Sequence, residues 1–131
     1  MRNLICRAAL FAALITLTFC SSSAQESSYI DIRPGELEKL LAERDVVIID
    51  VRTPAEWAGG TVEGALTINL SDPSFEERVT ALDPDADYLI YCNSGNRSRV
   101  ASHFMSANGF RSVFNYDGMH TQIRREHQAL K

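Results

Sequence analysis

Val46-Val47-Ile48-Ile49 is an unbroken β-branched run that stops at Asp50. A strand of this kind has no polar face, so it is buried on both sides, as strands of a parallel sheet between helices are. Tyr88-Leu89-Ile90-Tyr91, ending at Cys92, is a second such run, and Val113 to Tyr116 is a third. Between them lie segments of helical period. Leu37, Leu40 and Leu41 follow Pro34, which opens the first helix. Phe75, Val79 and Leu82 follow Asp72-Pro73. Val100, Ala101, Phe104 and Met105 face inward between Ser98 and Asn108, with Gly109 as the C-terminal cap. Thr53-Pro54-Ala55-Glu56 is a capping box with proline at the first helical position, so a short helix carries Trp57. Residues 29–32 and 65–70 read as shorter strands, and a polar helix from about Met119 ends the chain. This alternation predicts an α/β fold: one domain with a parallel five-stranded sheet and helices on both faces.

The charge balance narrows the function. With 13 Lys+Arg against 17 Asp+Glu, the chain is acidic. A nucleic-acid binder needs a basic surface to neutralise phosphates, so that class is excluded.

The first residues are set apart from the fold. Arg2 and Arg7 precede an apolar run from Ala8 to Phe19, and Ser22-Ser23-Ala24 offers small residues to a signal peptidase. This is the pattern of a secretory signal peptide over residues 1–24. The run is shorter than the ~20 apolar residues of a spanning helix. Lipid attachment at Cys20 is a minor alternative, weakened by the bulky Phe19 before it. Cleavage after Ala24 leaves a mature domain from Gln25 to Lys131, periplasmic or secreted and free of the membrane. It also removes Cys6 and Cys20, so Cys92 becomes the only thiol. A lone thiol in an oxidising compartment is a liability or the reactive group of the molecule.

In open parallel sheets, sites form at the carboxyl ends of the strands. Two stretches lie there: Asp50-Val51-Arg52, and Cys92 followed by Asn93, Ser94, Gly95, Asn96, Arg97 and Ser98. A turn leading into a helix N-terminus points several N–H groups at one spot, which suits an anion. Gly95 permits the turn, and Arg97 adds a positive charge. Both features favour a thiolate at Cys92 and an anionic group carried on its sulfur.

The stretches IIDVRTPAEWAGGTVEGALTINL, YCNSGNRSRVAS and FNYDGM together resemble the rhodanese-like domain family, over essentially the whole mature chain. The resemblance is to its single-domain, exported thiosulfate sulfurtransferases. It implies that Cys92 attacks the outer sulfur of thiosulfate, or of another persulfide donor, and becomes a persulfide. That persulfide then passes its sulfur to cyanide or a thiol. It further implies that the amides from Asn93 to Ser98 cradle the persulfide and that Asp50 and Arg52 support the loop. The partners are then a small sulfur-containing anion and a thiol or cyanide acceptor, with a protein acceptor as an option, and no cofactor or metal. A non-catalytic persulfide carrier would use the same cysteine. Cysteine phosphatases and arsenate reductases are disfavoured: a phosphatase places one more residue between cysteine and arginine than separates Cys92 from Arg97.

The chain departs from the family pattern in three places. Asn93 and Ser94 stand where many members carry a cation, which implies weaker attraction for thiosulfate. Thr61 replaces a common histidine, and Gly118-Met119 replaces a glycine pair. Elsewhere, His103, His120 and His127 read as solvent-facing helix residues, Trp57 as core packing, and Glu36, Glu38, Glu43, Glu76 and Glu77 as solvated surface. Arg124 and Arg125 form a helix face, and Arg99 could reach the mouth of the loop.

Overall fold

The apolar runs at 46–49 and 88–91 become neighbouring strands in the middle of one sheet. In a computed structural model, which describes residues 28–131, the elements run β1 (Ile30–Ile32), α1 (Leu37–Glu43), β2 (Val46–Asp50), α2 (Pro54–Trp57) and β3 (Leu66–Thr67). They continue with α3 (Phe75–Thr80), β4 (Asp87–Tyr91), α4 (Asn96–Ala107), β5 (Ser112–Tyr116) and α5 (His120–Ala129). The strands are all parallel, in the order β1-β5-β4-β2-β3. Residues 1–24, with Cys6 and Cys20, and the expected new terminus at Gln25 lie outside the described residues.

Alternate residues of each strand feed opposite cores, because successive side chains of a strand point to opposite faces. Ile49, Ile90, Cys92 and Val113 join Phe75 and Val79 of α3 and Ala101 and Met105 of α4. Ile48, Leu89, Tyr91 and Phe114 join Leu37 and Leu40 of α1 and Ile123 of α5. The expected α/β sheet with helices on both faces is therefore present. The β-branched run is continuous because each of its faces has its own core to fill.

Several boundaries shift, each for a local reason. Pro34 does not open α1. Pro34-Gly35 is a turn with Gly35 at φ +93°, and the Glu36 carboxylate accepts from the Arg33 N–H, so the helix starts at Leu37. Asp72 binds the Ser74 N–H and hydroxyl, holding residues 72–74 in a turn and delaying α3 to Phe75. The strand expected over 65–70 pairs regularly only at Leu66–Thr67. Two further backbone bonds, Ile68 N–H to Asp50 O and Leu70 N–H to Val51 O, keep the chain beside β2. Helix α4 starts two residues earlier than expected, at Asn96. Its buried positions are Ser98, Ala101, Ser102, Met105 and Ser106, whereas Val100 is 58% exposed. Small serines lie flat against the sheet on that stripe, and Val100 falls on the outer face.

Candidate active site

The site lies where two strand ends meet. Asp50 of β2 pairs in register with Tyr91 of β4, and the Val51 N–H donates to Tyr91 O. From here the two connections diverge. The segment after β2 returns through Val62 on the α1/α5 face, while α4 leaves β4 on the other face. A crevice between diverging connections is where parallel sheets bind ligands.

Cys92 sits at the end of β4, 1% exposed, with its side chain on the α4 face. The loop turns at Gly95, at φ +85°, a left-handed conformation that a side chain resists. A Cβ there would also come within 3.0 Å of Asp117 Oδ1. The turn brings the Gly95 N–H 3.1 Å from Cys92 Sγ. The Ser98 hydroxyl lies 3.6 Å from the sulfur and 3.0 Å from Gly95 O, so its shorter bond is to the carbonyl. Burial pushes the Cys92 thiol up. The Ser98 hydroxyl and the nearby N–H groups of Ser98, Ser94 and Arg97 outweigh it and hold the thiol below its ordinary value. Asn96, Arg97 and Ser98 belong to the first turn of α4, so half of the expected loop is helix.

Arg97 is not a free cation. Both of its terminal nitrogens donate to Glu56 of α2, at 2.7 Å each, closing a bidentate bridge across the crevice. The same Glu56 carboxylate accepts from the Thr53 N–H and hydroxyl, completing the capping box. Chiefly through the Arg97 bond, and against some burial, its pKa falls to about 2.

Asp50 and Arg52 form a second bridge beneath the crevice, both buried. Arg52 Nη2 lies 2.6 Å from Asp50 Oδ2 and 2.7 Å from Gly60 O. Asp50 Oδ2 also accepts from the Tyr91 hydroxyl, which itself accepts from the Val62 N–H. Burial first, and then Asp50, raise Tyr91 far above the usual phenol range, so it stays a donor. The pair thus grips the residue before Cys92 and the segment after α2, and the structure shows no direct bond from it to the loop. Instead, the loop is tied by the His120 N–H, which donates to Asn93 O.

Comparison with known proteins matches residues 33–125 to the family described as Rhodanese-like domain. The chain belongs to the rhodanese-like domain family. A sulfurtransferase from Allochromatium vinosum is 35% identical over 81 residues, 62% of this chain and 74% of that protein. A thiosulfate sulfurtransferase, GlpE, from Pseudomonas putida is 30% identical over 92 residues, 70% of this chain and 82% of that protein. The crystal structure of a rhodanese-like domain protein from Staphylococcus aureus superposes with a TM-score of 0.62 at 29% identity, covering 71% of this chain and 89% of that one. These relatives support rhodanese-type sulfur transfer in general terms.

Within this rhodanese-like domain, Cys92, residues 93–98, Asp50 and Arg52 all gather at the carboxyl ends of β2 and β4. Glu56 and Tyr91 complete the same cluster. Glu56 read only as a helix cap, although its position just past a strand-end Asp-x-Arg was a usable signal. His120 is corrected: it is 8% exposed and stacks on the Tyr91 ring at 5.9 Å, because the first turn of α5 is seated against the loop. Trp57 is corrected too, being half-buried and outside both cores. Arg99 pairs with Asp117 at 3.1 Å. Among the described residues, no group of three or more His, Cys, Asp or Glu is arranged to hold a metal ion.

Proposed function

We propose that this chain is an exported sulfurtransferase in which Cys92 carries a sulfane sulfur from thiosulfate, or another persulfide donor, to cyanide or a thiol. The observation that carries the reading is the Gly95 N–H 3.1 Å from Cys92 Sγ, in a turn that opens α4. Oriented amides stabilise a thiolate and then the anion it becomes, without reorganising. In the first step the Cys92 thiolate attacks the outer sulfur of thiosulfate. A sulfur–sulfur bond forms at Sγ, the bond to the sulfonate sulfur breaks, and sulfite leaves with the electron pair. In the second step cyanide attacks the outer sulfur, thiocyanate leaves, and the Cys92 thiolate returns. This is nucleophilic catalysis through a covalent intermediate. The amides of residues 93–98 hold the persulfide, while Asp50 and Arg52 keep the end of β4 in position through Tyr91. The basic start, apolar run and Ala24 cleavage site support a periplasmic or secreted location.

The test mixes the Gln25–Lys131 protein with thiosulfate and cyanide, following thiocyanate by absorbance and sulfur on Cys92 by intact mass. Turnover with one added sulfur, both lost in Cys92→Ala, is the expected result. Stable loading without turnover would indicate a carrier, and no loading from any sulfane donor would overturn the reading. For export, the N-terminus of the secreted form should be Gln25. A different start, or lipid on Cys20, would refute that part.

A further inference from the structure

The reactive loop and the first turn of α4 bring two cations near Cys92, and each already has its own anion. Arg97 is held bidentately by Glu56 at 2.7 Å on both nitrogens. Arg99 is held by Asp117, the carboxylate that a side chain on Gly95 would strike. Asn93 and Ser94 are neutral. Arg52 is spent on Asp50, whereas Arg124 of α5 is bound to the neutral Gly59 carbonyl and keeps its charge. The attraction between a site and a ligand scales with the charges left uncompensated on both. A second negative charge on a donor therefore gains little from the cations of the loop and of α4. The amides around Sγ are dipoles that serve the sulfur being transferred, whatever it is attached to.

We propose that Glu56 is a specificity-determining residue: by cancelling the charge of Arg97, it tunes the site to singly charged sulfur donors, alkanethiosulfonates and alkyl persulfides, over the thiosulfate dianion. This rests on the sulfurtransferase reading above and names the donor class for the same cysteine. The chemistry balances as before. With methanethiosulfonate, the bond from the outer sulfur to the sulfonyl sulfur breaks as the bond to Cys92 Sγ forms, and methanesulfinate leaves with the electron pair. No proton or oxidant is required.

Glu56→Gln isolates the charge. A glutamine at the third helical position still closes a capping box through its carbonyl oxygen and can accept one of the two Arg97 bonds, so α2 keeps its cap while the charge and the second bond to Arg97 are lost. The experiment measures kcat/KM for methanethiosulfonate and thiosulfate, with cyanide as acceptor, across a series of ionic strengths. Wild type should favour methanethiosulfonate. In Glu56→Gln the ratio should move about tenfold toward thiosulfate, with a steeper salt dependence for the dianion, as an exposed guiding charge produces. Arg97→Met, which leaves Glu56 unmatched, should move the ratio the other way and guards against a misfolded first variant. Loading by both donors with an unchanged ratio in both variants would overturn the proposal alone. Failure of both donors to load Cys92 in wild type would overturn the sulfurtransferase reading, and this proposal with it.

Discussion

The Tyr91 hydroxyl donates to Asp50 Oδ2 at 2.5 Å, joining the ends of β4 and β2 beneath Cys92. Tyr91 points into the α1/α5 core and Cys92, one residue on, into the α3/α4 core. Cys92 is therefore steadied from the face opposite its own. Asp50 is held in turn by Arg52, whose guanidinium reaches Gly60 O.

Tyr91→Phe removes the donor to Asp50 and the acceptor for the Val62 N–H, leaving two buried polar groups short of a partner. The expected cost is about 1–3 kcal/mol. It should appear in urea unfolding as a lower midpoint with an unchanged slope, together with slower sulfur loading.

Breaking the buried pair should cost more. Arg52→Met strands the Asp50 carboxylate in the interior, and Asp50→Ala strands the guanidinium. Each is expected to lose about 3–5 kcal/mol of stability. Both should also lose thiocyanate formation while Cys92 is still present by mass. Wild-type rates in these variants would remove Asp50 and Arg52 from any part in the site.

Cys92 should react with iodoacetamide with a midpoint below the ordinary thiol value, because its thiolate receives several N–H groups. Ser98→Ala should raise the midpoint without restoring it fully, since the hydroxyl makes its shorter bond to Gly95 O. A midpoint in wild type at or above that of a free thiol would contradict the amide cradle.

Acid should weaken the Glu56–Arg97 bridge in a defined window. The Arg97 guanidinium holds the folded-state pKa of Glu56 at about 2, below its ordinary value of 4.5, so its contribution is complete above pH 4.5 and is lost as pH falls toward 2. Wild type should therefore lose more stability than Glu56→Gln over that interval, measured by urea midpoints at fixed ionic strength. Parallel losses would show that the bridge contributes nothing to folding.

Sequence pattern exposed the sheet because Val46 to Ile49 and Tyr88 to Tyr91 have no polar side to hide. It also exposed Cys92, whose surroundings change within one residue from apolar strand to polar turn. The start of α4 was less legible, since Asn96, Arg97 and Ser98 form a helical turn with no apolar residue to mark it. Val100 misled for the converse reason: apolar spacing counts it inward, whereas small serines occupy the stripe that meets the sheet. The partnership of Glu56 with Arg97 spans 41 residues. No local spacing announces such a contact, and a surface carboxylate at a helix cap is ordinary by itself. His120 is hidden similarly, its burial coming from where α5 lands.

The 1% exposure of Cys92 also sets its reach. Two copies of the chain cannot bring such recessed sulfurs to the ~2 Å of a disulfide without first opening their loops. The unloaded protein is thus protected against covalent dimerisation by shape. On the proposed reaction, a sulfane sulfur bound at Sγ would lengthen the side chain by one further bond of that length. The loaded protein would then present a sulfur one bond beyond Sγ, and a bulky acceptor would tell it from the spent form by reach.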